Sequence, residues 1–240
     1  MLLYKVIKTC VGPIAKILYK PYVEGLENVP ETGSAILASN HLAVIDSFFL
    51  PLALKREIVF IGKADYFKGK GIKGKIVAKF MRSVGTIPVD RSGGKAHSAL
   101  QAGLKRIESG ELFGIYPEGT RSPDGKLYKG KVGVARLALL SGAKVIPVAM
   151  INTDVAQPIG KTVPKRGVPI GVVFGEPLDF SQYAGEENNK EVLRSITNTV
   201  MQELQKLSGQ EYVDRYASDV KNELAEKGLF KGPLPPKSGK

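Results

Sequence analysis

The chain has 240 residues, 43% of them hydrophobic and 24% charged, enough to build one well-buried α/β domain. Its 35 lysines and arginines against 23 acids leave a formal charge of +12, which points to an anionic partner such as nucleic acid, a membrane surface or a phosphorylated substrate. The single cysteine, Cys10, excludes an internal disulfide and any multi-cysteine metal site, and fits a reducing cytoplasm.

No segment reaches the roughly 20 apolar residues that a membrane-spanning helix needs. The N-terminal stretch MLLYKVIKTCVGPIAKILYKPYV does not read as a signal peptide, because Lys5, Lys8, Lys16 and Lys20 interrupt its apolar run. Leu3, Ile7, Ile14 and Leu18 recur at spacings of four or seven among those lysines, the pattern of a basic amphipathic helix. Such a helix can pack on its own domain or lie on a membrane surface. Gly12-Pro13 is expected to break or kink it.

Beyond Pro30 the punctuation is regular. Residues 34–40 (SAILASN) are short, apolar and bounded by turn formers, and read as a buried strand. A helix is expected over residues 42–54, interrupted or shifted near Pro51, followed by strands at residues 57–62 and within 83–91. The next helix, over about residues 96–109, carries Leu100, Leu104 and Ile107 on one face and stops at Gly110. ELFGIYPEG is a strand leading into a turn, KVGVARLALLSG a helix stopped by Gly142, and AKVIPVAM and VPIGVVFGEPL are further strands. Val192, Leu193, Ile196, Val200, Leu204 and Leu207 mark a long helix, and KGPLPPKSGK a disordered tail. Strands alternating with helices predict a single-domain αβ sandwich with a mostly parallel sheet.

GKGIKGK (residues 69–75) formally satisfies a dinucleotide-binding glycine pattern and nearly a P-loop. The expected strand ends too early for either, and Ile76 offers no hydroxyl to a magnesium ion. The surroundings point elsewhere. Residues 55–82 hold nine positive side chains against two acids, a local net of +7. Lys68, Lys70, Lys73 and Lys75 alternate with Ile72, Ile76 and Phe80, which suits docking on an anionic bilayer, with apolar groups inserted and charges at headgroup level. No RNA-binding signature accompanies them.

GIYPEGTRSPDGKLYKGK (residues 114–131) gathers Glu118, Arg121, Lys126, Lys129 and Lys131 at a glycine-rich turn between a strand and a helix. An arginine fork matches phosphate oxygens, lysines add charge, and backbone N–H groups near Gly119 and Thr120 offer further donors. Arg91, at another strand end, could converge on the same phosphate. His41 and Asp46 in SNHLAVIDS lie five residues apart, about 140° around a continuous helix. They can pair only if the chain turns between them, with Asp46 just inside a helix. Paired, Asp46 would accept the Nδ1 proton and leave Nε2 to take a proton from a hydroxyl. The residues alone also allow a packed histidine beside a helix-start acid. No G-x-S-x-G elbow supplies a protein nucleophile, so the nucleophile would be the substrate's own hydroxyl.

Four motifs in order resemble the blocks of the glycerolipid acyltransferase family, which includes bacterial 1-acylglycerol-3-phosphate acyltransferases. NHLAVID is similar to the N-H-x-x-x-x-D block, and GTIPVDR to a second block that ends in arginine. YPEGTRS is similar to F-P-E-G-T-R-S, with Tyr116 in place of phenylalanine, and VIPVAM to a proline-centred fourth block. Pro88 departs from the second block's usual phenylalanine.

The resemblance implies His41 as general base and Asp46 as its orienting acid. It implies Arg91, Glu118, Gly119, Thr120 and Arg121 at the acceptor site with the arginines on the phosphate, Lys129 as a further phosphate partner, and VIPVAM as packing. It implies a thioester co-substrate, acyl-CoA or acyl carrier protein, and neither cofactor nor metal. The expected activity is acylation of lysophosphatidate to phosphatidate in phospholipid biosynthesis. The alternatives are glycerol 3-phosphate as acceptor, a non-catalytic anionic-lipid-binding protein, or a nucleotide-binding enzyme using residues 69–75. The expected organisation is a docking segment over residues 1–24, an acyltransferase domain over 25–228 and a tail over 229–240. The protein would then be peripheral (monotopic) on the cytoplasmic face of the cell membrane, with an anionic lipid surface rather than nucleic acid as the partner of its positive charge.

Overall fold

The computed structural model describes residues 2–63, 71, 78, 86–89, 96–230, 232 and 234. Its strands in chain order are β1 (Tyr22–Glu24), β2 (Ala35–Ser39), β3 (Ile58–Lys63), β4 (Thr86–Val89), β5 (Leu112–Ile115), β6 (Leu127–Tyr128), β7 (Val145–Ile151), β8 (Gly171–Phe174) and β9 (Tyr212–Val213). The helices are α1 (Leu2–Tyr19), α2 (Asp46–Ala53), α3 (Ala96–Glu108), α4 (Gly133–Ser141), α5 (Thr153–Ala156), α6 (Lys190–Ser208) and α7 (Ala217–Glu226).

Seven strands form one sheet in the order β1-β8-β7-β2-β5-β3-β4. All neighbours are parallel except β7 and β8, which gives the mostly parallel α/β sheet that the alternation predicts. β6 and β9 form a separate two-stranded ribbon. β2 lies at the centre and all five of its residues are buried, which is why it reads as a continuous apolar run rather than an alternating one. Its side chains still alternate between two cores. Ala35 and Leu37 join the cluster under α1 and α2, with Phe49, Leu50, Phe60, Val148 and Met150. Ile36 and Ala38 join the cluster under α3, α4 and α6, with Ile107, Phe113, Leu137, Val200 and Leu204.

Several elements differ from the sequence expectations, which did not include β1, β6, β9 and α5. α1 runs unbroken through Pro13; the proline removes one backbone donor, and packing of Ala15 and of Gly12 against Leu52 holds the helix on the domain. Ile14 and Ile17 stay 56% and 77% exposed on its other side. α2 starts at Asp46 instead of residue 42, because the Asp46 carboxylate takes the N–H groups of Leu42 and Ala43 and holds residues 42–45 in a turn. α7 was not expected; it follows the ribbon and returns the chain to the ends of the central strands. Residues 22–24, grouped by sequence with the docking segment, pair with β8 as an edge strand of the sheet. Arg91 and the basic stretch with Lys68, Lys70, Ile72, Lys73, Lys75, Ile76 and Phe80 lie outside the described residues.

Candidate active site

Parallel neighbours end on the same side of a sheet, and the loops beyond their C-terminal ends form a cleft. β2 and β5 pair in register, Ala38 opposite Ile115. This alone brings residues 40–46 beside residues 116–121. Asn40, fully buried, clamps the end of β2 to β7: its Oδ1 accepts the Met150 N–H at 2.7 Å and its Nδ2 donates to the Met150 carbonyl at 3.1 Å. The same amide nitrogen donates to Gln210 Oε1 at 2.7 Å. His41 is the next residue, on the loop as the pairing argument requires.

His41 Nδ1 lies 2.9 Å from Asp46 Oδ2. That oxygen also accepts the N–H groups of Leu42 at 2.7 Å and Ala43 at 2.8 Å. An ionised carboxylate only accepts, so the imidazole proton belongs on Nδ1 and the Nε2 lone pair is left for substrate. Asp46 is 0% exposed and opens α2, where the helix dipole favours its charge. The His41 side chain is 16% exposed. Burial holds its pKa below the ordinary value of 6.5; the Asp46 hydrogen bond and charge oppose this, and the Arg121 and Lys221 charges reinforce it. The ring is therefore neutral at pH 7, the state a base needs.

The imidazole lies flat on Tyr116, with ring centres 3.9 Å apart and planes within 10°, and Tyr116 stacks in turn on Phe60 at 5.6 Å. The hydroxyl that distinguishes Tyr116 from phenylalanine meets Ser47 Oγ at 3.0 Å, tying the turn after β5 to the first turn of α2. Gly114 makes this stack possible, because a Cβ there would fall 2.2 Å from the Phe60 ring.

Glu118 is 1% exposed and turned inward. Its Oε2 accepts the His41 N–H at 3.1 Å and its Oε1 the Tyr128 N–H at 3.0 Å, so it pins the histidine loop, its own turn and β6 together. Burial pushes its carboxyl up to about 8, against the pull of both N–H donors and the Lys221 charge. Gly119 takes φ +73°, open to glycine at little cost, and its N–H donates within the turn to the Tyr116 carbonyl at 2.9 Å. Thr120 Oγ1 accepts a hydrogen bond from Lys221 Nζ at 2.9 Å. Arg121 is half-buried and close enough for its charge to act on both His41 and Lys221. Lys129 is engaged elsewhere, with its ammonium 2.9 Å from Asp214 Oδ1.

The structure thus brings His41, Asp46, Glu118, Gly119, Thr120 and Arg121 to one place. A sequence model described as Acyltransferase matches residues 20–151, more than half of the chain. The chain belongs to the acyltransferase family. Its relatives include a 1-acyl-sn-glycerol-3-phosphate acyltransferase of Bacillus subtilis, 28% identical over 183 residues that cover 75% of this chain and 84% of that protein. A chloroplastic protein of the same description from Arabidopsis thaliana is 29% identical over 166 residues, 68% of this chain. The matched part spans 45% of that longer protein's length. The crystal structure of the 1-acyl-sn-glycerophosphate acyltransferase from Thermotoga maritima shares the fold, with a TM-score of 0.62 and 24% identity over 86% of this chain and 81% of that one.

Inside the stretch matched to the acyltransferase family lie His41, Asp46 and the turn after β5; outside it lie Gln210, Asp214 and Lys221. Sequence reasoning missed Lys221, Asn40 and Gln157, whose Oε1 accepts the Ile45 N–H at 3.1 Å. Asn40 stood within a quoted motif, but the other two carry no local signal. Glu118→Gln tests the brace. A neutral carboxyl can still turn a lone pair to each N–H, whereas the amide must set its NH2 against one of them. The variant should lose about 1–3 kcal/mol of stability in denaturant unfolding, and a midpoint equal to wild type would contradict that role.

Proposed function

We propose that the chain transfers a fatty acyl group from a thioester, acyl-CoA or acyl carrier protein, to the free hydroxyl of lysophosphatidate, giving phosphatidate. The 2.9 Å His41–Asp46 pair carries this reading: a neutral imidazole oriented by a buried carboxylate, beside the half-buried Arg121. The names of the relatives support the choice of acceptor.

His41 Nε2 removes the hydroxyl proton as the acceptor oxygen attacks the thioester carbonyl. The imidazolium that forms is stabilised by Asp46. The tetrahedral adduct then collapses, the carbon–sulfur bond breaks, and the departing thiolate takes the proton back from His41. No protein nucleophile takes part. Glycerol 3-phosphate meets the same requirements, a hydroxyl near a phosphomonoester.

The test is thiol released from palmitoyl-CoA with lysophosphatidate, glycerol 3-phosphate or no acceptor. Wild type should release thiol only with acceptor, fastest with lysophosphatidate, and His41→Ala should lose about 100-fold or more. Equal release from His41→Ala would remove the base mechanism. No release from folded wild type in the presence of vesicles would move the reading to a lipid-binding role.

An amphiphilic acceptor also requires a route to the bilayer. Among the described residues no helix is long and apolar enough to cross a membrane. Ile14 and Ile17 are exposed on α1 beside Lys16 and Lys20, which suits peripheral docking on the anionic cytoplasmic face. Binding to phosphatidylglycerol-containing vesicles should weaken as salt rises. Salt-independent binding, or equal binding to neutral vesicles, would rule out electrostatic docking.

A further inference from the structure

Near the turn after β5, three cations have acidic partners. Lys126 pairs with Glu211 at 2.8 Å, Lys129 with Asp214 at 2.9 Å, and Arg215 with Glu223. Among the described residues Arg121, Lys221 and Lys131, whose side chain passes beside Gly119, have no carboxylate within ion-pair distance. Lys221 is the sharpest case. It projects from α7 and is 1% exposed. Its ammonium carries three donors, and one of them meets Thr120 Oγ1 at 2.9 Å. The Phe230 ring lies 5.6 Å from the nitrogen. The nearby Glu118 carboxyl group has both oxygens committed to backbone N–H groups.

A buried ammonium without a carboxylate partner is costly. Nor does α7 neutralise it with its own acids: Asp219 accepts from Ser218 Oγ, and Glu223 is held by Arg215. Two cations, Arg121 and Lys221, therefore lie close enough to His41 for both charges to act on the imidazole.

We propose that Lys221 is an acceptor-binding residue: with Arg121 it holds the acceptor's phosphomonoester, two cations for a dianion, so that the C-terminal helix completes a site begun by the β2 and β5 loops. This deepens the functional reading above and rests on it for the identity of the acceptor. Burial, then Arg121, draws the Lys221 pKa down to about 8, with Glu118 opposing. The ammonium is thus still mostly charged at pH 7, and a bound dianion would stabilise that charge further. Thr120 then serves to aim the ammonium. Lys129, tied to Asp214, leaves the phosphate to Lys221.

Three full-length variants test this: Lys221→Met, Lys221→Gln, which keeps a donor for Thr120, and Lys221→Arg, which keeps the charge. With palmitoyl-CoA fixed, the Met and Gln variants should raise KM for lysophosphatidate about tenfold or more, with kcat changed far less, and Arg should recover part of the loss. Independently, sn-glycerol 3-phosphate should raise the Tm of wild type and of Lys221→Arg, but not of Lys221→Gln. Unchanged KM and an unchanged Tm response in folded Lys221→Gln would overturn the assignment. So would a fall in kcat alone, which would mark Lys221 as a tether for the Thr120 turn. If wild type transfers no acyl group to any acceptor, the functional reading fails, and the Tm response to sn-glycerol 3-phosphate alone decides whether Lys221 binds a phosphomonoester.

Discussion

One carboxylate oxygen organises the site. Asp46 Oδ2 gathers His41 Nδ1 and the N–H groups of Leu42 and Ala43, and those three contacts are possible only because the chain turns directly after β2. A helix continuing from residue 42 would carry His41 and Asp46 to different faces. The cost of burying the carboxylate is offset by three donors and by the N-terminus of α2. What results is an imidazole with one tautomer, one orientation and one free lone pair.

That turn is positioned by the sheet. β2 lies between β5 and β7, and each neighbour contributes a fastening. From β7, the Met150 backbone receives both ends of the Asn40 amide. From beyond β5, Glu118 takes the His41 N–H and Tyr116 supplies the surface on which the ring rests. Because both faces of the sheet are covered, β2 is apolar on each side, and its polar residues are confined to its end, where the cleft opens. Fold and chemistry are thus linked through strand register: Ala38 opposite Ile115 sets the histidine loop beside the PEGTR turn.

Much of this was legible in the chain. The turn between His41 and Asp46 followed from helical geometry, the parallel sheet from alternating elements, and the meeting of the NHLAVID and YPEGTRS blocks from the resemblance. Glu118 was placed in the site, but its inward orientation was hidden, because a charged residue in a glycine-rich turn reads as exposed until its backbone partners are known. Lys221 was hidden more deeply. It stands among Asp219 and Glu223 in a short, polar helix, about 100 residues beyond Thr120, and nothing local separates it from a solvated lysine. Only the return of α7 to the strand ends, through the ribbon of β6 and β9, makes it part of the cleft. Tyr116 was visible as a departure from phenylalanine; its hydroxyl contact with Ser47 is a tertiary fact.

The central claim is that Asp46 fixes His41 as a neutral imidazole with its proton on Nδ1. The most direct measurement is the nitrogen spectrum of the folded protein labelled with ¹⁵N-histidine at neutral pH, with His97 replaced by glutamine so that a single ring remains. The account predicts a protonated Nδ1, an unprotonated Nε2, and loss of this pattern in Asp46→Asn. A proton resident on Nε2, or a doubly protonated ring at pH 7, would contradict it.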